Sequence, residues 1–154
     1  MTKIQKNEYV FSVDIEKTKK YYHTHSLCDC VCCRNYYVQI KNKCPKLDQF
    51  LSEFGVDISK PDEIMSLEME NDIDYINVDY TVCGNIESMG KDDIHIDDGL
   101  LIRVSFTDGF SSPNEQTGTY FTISVMQIQL DWLLDEPFPE PITKKSFLDI
   151  FLKK

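Results

Sequence analysis

Alternation of apolar and polar residues with a period of two recurs along the C-terminal two thirds of this chain, and it limits the fold more than any other feature. Leu100, Ile102, Val104 and Phe106 form one series, and Phe121, Ile123 and Val125 another. Met65, Leu67 and Met69 form a third, separated by a turn-like Glu70-Asn71-Asp72 from Ile76, Val78, Tyr80 and Val82. A strand sends successive side chains to opposite faces, so these series predict an antiparallel hairpin followed by two more strands. Ile76, Val78, Tyr80, Ile102, Val104, Phe121 and Ile123 are expected to share one core, because alternation over several strands has no other economical solution. After Val125 the apolar set changes phase to Met126, Ile128 and Leu130, which predicts a bulge or burial on both faces. Cys83 falls with Asn77, Asp79 and Thr81 on the polar face of its strand unless something covers it.

The N-terminal third reads differently. Tyr9, Phe11, Val13 and Ile15 predict a short strand, and Asp14 is placed to cap a helix running to Tyr22. Apolar residues at Tyr36, Tyr37, Ile40 and Cys44 share one helical face. Pro45 restarts the chain, Leu47, Phe50, Leu51 and Phe54 repeat that face, and Gly55 offers a C-terminal cap. Phe147, Leu148, Phe151 and Leu152, punctuated by lysines, predict a C-terminal amphipathic helix, and 107–118 predict a long turn-rich connection. With 154 residues, enough to bury roughly 70% of the surface of the unfolded chain, the expectation is a single α+β domain spanning 1–154. It has short N-terminal helices, a mostly antiparallel sheet or sandwich, and a closing helix.

Charge narrows the partners. Sixteen Lys and Arg against 26 Asp and Glu leave a formal net charge of -10. Binding to a phosphate backbone draws its affinity from cationic neutralisation, so no nucleic-acid partner is expected, whereas a basic protein would be attracted. No run approaches 18 apolar residues and the first residues lack a signal-peptide core, so no membrane contact and a cytoplasmic location are expected. The phosphate-binding glycine loops, the G-x-S-x-G elbow and the H-E-x-x-H zinc motif do not occur in the sequence. The acidic run Asp92, Asp93, His95, Asp97 and Asp98 lacks the ordered ligand spacing of a calcium loop and reads as a solvated turn.

The chemistry is concentrated in His23, His25, Cys28, Cys30, Cys32 and Cys33. Cysteines this close in sequence make poor mutual disulfides, and thiolate with imidazole is the donor set zinc prefers. Cys30 and Cys33 form a C-x2-C knuckle, Cys28 can add a third ligand, and Cys83 is the expected fourth, with His25 as the local substitute. Cys32 has no place in that shell, and Cys44 sits on an apolar helix face as a core residue. Plain reduced cysteines and a thiol redox site compete with zinc for the same pattern.

The segments Cys28-Asp29-Cys30-Val31-Cys32-Cys33-Arg34-Asn35-Tyr36, Phe50–Asp57, Tyr80–Gly84 and Leu134–Glu140 resemble an uncharacterised group of small acidic bacterial proteins. That group carries the pattern C-x-C-x2-C-R-N-Y/F after a short N-terminal helix, and the resemblance implies Cys28, Cys30 and Cys33 as the matching thiols, without any activity. The function expected is a non-enzymatic acidic binding protein, immunity- or antitoxin-like, with a structural zinc. A thiol oxidoreductase or a zinc-dependent enzyme built on the same cysteines is the alternative.

Overall fold

The computed structural model describes residues 1–109 and 118–139. Within them the chain is α+β, with three short helices on a seven-stranded, mostly antiparallel sheet. The strands are β1 (Thr2–Lys6), β2 (Tyr9–Val13), β3 (Glu63–Glu68), β4 (Asp72–Ser88), β5 (Ile94–Asp97), β6 (Leu101–Asp108) and β7 (Tyr120–Asp131). The helices α1 (Ile15–Thr24), α2 (Val31–Lys43) and α3 (Pro45–Ser52) all fall between β2 and β3. The predicted C-terminal helix and most of the 107–118 connection lie outside the described residues.

The 17-residue β4 organises the sheet, whose order is β1-β2-β4-β7-β6-β5 with β3 also paired to β4. It pairs with β3 along Ile73–Asp79, with β7 along Asp72–Cys83 and with β2 along Gly84–Ser88. The expected hairpin of β3 and β4 is present, closed by the Met69 amide on the Asp72 carbonyl at 2.9 Å. Six of the seven residues expected in one core are buried to about zero exposure: Val78, Tyr80, Ile102, Val104, Phe121 and Ile123. Ile76 is the exception, 42% exposed. The β3–β4 register slips by one residue at Met65/Ser66, so Tyr75 and Ile73 take the inward places that strict alternation would give to Ile76.

Gln127, which the β4–β7 register skips together with Ile76, is the site of the predicted phase change. Gln127 has φ 70°, a left-handed conformation uncommon for a residue with a Cβ, and it re-aims β7 so that Val125 and Ile128 both point inward. Met126, expected with Ile128 and Leu130, is only half-buried.

Local chemistry accounts for the helices. The Asp14 carboxylate accepts the Lys17 amide at 3.0 Å and starts α1, so Ile15 opens the helix instead of closing the strand. Pro45 opens α3, whose first amides have no partner from their own N-cap; Asp98 reaches across to accept the Lys46 and Leu47 amides at 3.0 and 2.9 Å. The acidic run read as a solvated turn therefore includes a strand, β5, and a cap for α3. Leu47, Leu51 and Phe54 enter a core with Phe11, Phe106 and Phe121, where ring centroids stand 4.8–5.2 Å apart between Phe11 and its neighbours. Tyr36 and Ile40 bring α2 down on the sheet beside Tyr75 and Tyr80. The Tyr80 hydroxyl donates to the Ile58 carbonyl at 2.6 Å, leaving the Tyr36 hydroxyl to donate to Tyr80, also at 2.6 Å.

Candidate metal centre

The start of α2 gathers three of the thiols. Cys30 is the N-cap residue, and its sulfur accepts the Cys33 amide at 3.5 Å, so N-cap and third helical position face one another as capping geometry requires. Cys28 folds back over this pair. The ligand sulfurs of Cys28, Cys30 and Cys33 all lie within 4.8 Å of one another, close enough that one metal ion could be held by all three.

Neighbouring side chains hold the loop in that shape. The Tyr37 hydroxyl donates to the Cys28 carbonyl at 2.9 Å, and Arg34 Nε donates to the Asp29 carbonyl at 3.1 Å. The Arg34 guanidinium also forks onto the Glu136 carboxylate, which lowers the Glu136 pKa through that hydrogen bond. Asn35 accepts the Leu133 amide at 2.8 Å and, with Gln39, donates to the Asp131 carbonyl. The Trp132 indole donates to the Glu136 carbonyl at 2.8 Å and packs edge-on against Phe138. Arg34, Asn35 and Tyr37 were not singled out as site residues from the sequence, although they follow the cysteines directly. Nothing local pointed to Glu136, about a hundred residues away.

The pKa values of Cys28 and Cys33 are shifted in opposite directions. The Cys30 amide and then the Cys30 thiol donate toward Cys28 and lower its pKa. Cys33 is buried, and the loss of solvent, reinforced by Cys30, raises its pKa. Cys28 and Cys30 are exposed, so the trio opens to solvent on one side.

The remaining cysteines stand elsewhere. Cys32 follows Cys30 by two residues, which on a helix turns it away from the N-cap. Its sulfur donates to Glu68 on β3 at 3.5 Å, and burial with that carboxylate pushes its pKa up to about 11. Cys83, expected as the fourth ligand, is not part of the group. Its strand face is indeed covered, but by α1: the Cys83 amide donates to Thr18 Oγ1 at 3.0 Å, the Asp14 amide donates to the Cys83 carbonyl at 2.8 Å, and the thiol is buried among Thr18, Lys17 and Asp14. His25 does not join the group either, although its buried Nδ1 has no hydrogen-bond partner among the described residues. Its Nε2 donates to the Pro61 carbonyl at 3.0 Å and stands 3.3 Å from the buried Asp62 carboxylate, while its ring stacks on Tyr21. Cys44 is buried at the α2–α3 junction, as expected.

A cavity of about 260 Å³ lies apart from the thiols, lined by Lys19, Tyr22, Lys41, Asp57 and Lys60 among others, with no cysteine in its wall. Among the described residues no helix is long and apolar enough to cross a membrane. Comparison with protein families, with curated proteins and with solved structures finds no match for this chain.

Proposed function

We propose that the chain is a non-enzymatic binding protein in which Cys28, Cys30 and Cys33 hold one zinc ion that orders the start of α2. The convergence of three sulfurs within 4.8 Å carries this reading. Zinc favours thiolate ligands and needs no redox partner, and an N-capping cysteine supplies a sulfur already supported by a backbone amide. A zinc-dependent enzyme would call for substrate space beside the ion and a general base. The cavity between α1 and α3 has no cysteine in its lining. The net charge of -10 suits a basic protein partner, whose association would be electrostatically steered and would slow as salt rises. The small size, the acidity and the lack of catalytic motifs motivate an immunity- or antitoxin-like role.

Metal analysis of the freshly purified chain tests the site. One zinc per chain is expected, with stoichiometric binding lost in Cys28→Ser and Cys33→Ser and retained in Cys83→Ser. A wild-type chain that takes up no zinc, or a Cys33→Ser variant that holds it as well as wild type, overturns the proposal.

A further inference from the structure

The chain contains six cysteines and three histidines, and all nine lie within the described residues. Three of the cysteines form the trio, and none of the remaining soft donors joins it. The Cys32 sulfur is on Glu68 and its carbonyl accepts the Tyr75 hydroxyl at 2.6 Å. Cys44 is fully buried and Cys83 is packed against Thr18. His25 is held by Pro61, His23 lines the cavity between α1 and α3, and His95 lies on β5 opposite Arg103. These 154 residues therefore offer three sulfurs at the site and no fourth sulfur or imidazole beside them. A structural zinc site is almost always closed by four ligands.

Resting on the zinc reading above, we propose that the fourth position is open and is filled by a thiolate from outside: a low-molecular-weight thiol or a cysteine of a second protein molecule. The open side is the accessible one, because Cys28 and Cys30 are exposed. Among the described residues two neighbouring carboxylates are already engaged. Glu136 is forked by Arg34 and Glu68 accepts the Cys32 thiol, whereas Asp29 is exposed and offers only a harder oxygen donor. The first turn of α2 has no acidic residue, and its Cys33 amide already supports the Cys30 sulfur. A thiolate is the soft donor that completes a zinc shell already made of sulfur.

X-ray absorption at the zinc edge of the zinc-loaded full chain counts the sulfurs about 2.3 Å from the metal. In dilute, thiol-free buffer three sulfurs and one oxygen or nitrogen are expected. Excess glutathione should raise the count to four with the chain still monomeric by sedimentation, which identifies a small thiol as a competent ligand. Four sulfurs without added thiol, in a chain that sediments as a dimer, assign the fourth to a second copy. A count fixed at three in excess glutathione and in a monomer overturns the proposal. So does a count of four in a thiol-free monomer, where Cys32→Ser would return it to three by exposing an internal ligand. A chain that binds no zinc in any buffer fails the parent reading instead, and takes this inference with it.

Discussion

Tyr75 ties the strand that carries it to the helix that carries the thiols. Its hydroxyl donates to the Cys32 carbonyl at 2.6 Å and accepts from Asn35 Nδ2 at 3.2 Å, and the ring is fully buried against Tyr36. Tyr75→Phe keeps the ring and removes both hydrogen bonds, leaving buried polar groups short of a partner. A loss of about 1–2 kcal/mol is expected in urea unfolding, and an unchanged midpoint would show that the hydroxyl contributes nothing to docking α2. The sequence pattern put Ile76 inward with Val78 and Tyr80, and the slipped register gives that place to Tyr75 instead. The neighbouring thiols were better served. Cys30 and Cys33 stand at N-cap and third helical position, a local relation that spacing alone conveys. Pairing them with Cys83 required knowing which helix covers the end of β4.

At the scale of elements, Gly84 is the point where β4 turns from its partnership with β7 toward β2. It has φ 148°, and a Cβ built there would stand 2.1 Å from the Ser12 carbonyl oxygen of β2. Backbone, not a flexible side chain, blocks the space, so the strand could relieve the clash only by leaving its partner. Gly84→Ala is expected to cost about 3 kcal/mol or more. It should also speed amide exchange at Phe11, Ser12 and Val13 ahead of the β4–β7 ladder. A variant with wild-type stability and undisturbed exchange in β2 would contradict that account of the junction. The sequence marks Gly84-Asn85 as the end or a bend of the strand, whereas the chain continues as strand to Ser88. A glycine in a strand reads equally as a stop or as a close approach of two backbones, and only the presence of β2 decides between them.

For the molecule as a whole, buried acids that must stay protonated make folding sensitive to alkali. Burial pushes the Cys44 thiol up to about 11, and burial likewise raises Tyr22, Tyr36 and Tyr80. In the unfolded chain a thiol releases its proton near the ordinary value of about 8.5. Between that value and about 11 the native state therefore holds more protons than the unfolded state, and stability falls as pH rises. The tyrosines extend the fall in the same direction above about 10. Urea midpoints measured from pH 7 to 10.5 should decline steadily through the upper part of that range, with a shallower decline in Cys44→Ala. Midpoints independent of pH, or rising with it, would mean that these groups ionise in place.

The class of fold was readable from the sequence because period-two alternation and helix capping are local. Asp14 starts its helix, Pro45 restarts the next, and the inward residues of β6 and β7 are those the pattern selects, up to the phase change that Gln127 carries out. The meeting of Cys28, Cys30 and Cys33 was legible for the same reason, since all three lie within six positions at one helix N-terminus. Tertiary structure alone decided the rest. Whether Ile76 or Tyr75 turns inward depends on the slipped register against β3, and whether Asp98 is a solvated turn residue or a helix cap depends on α3 arriving beside it. Cys83 is kept from the three clustered thiols by α1, and Glu136 is brought to Arg34 by the course of the chain after β7. Those outcomes join residues tens of positions apart, where pairing is chosen by the packing of whole elements.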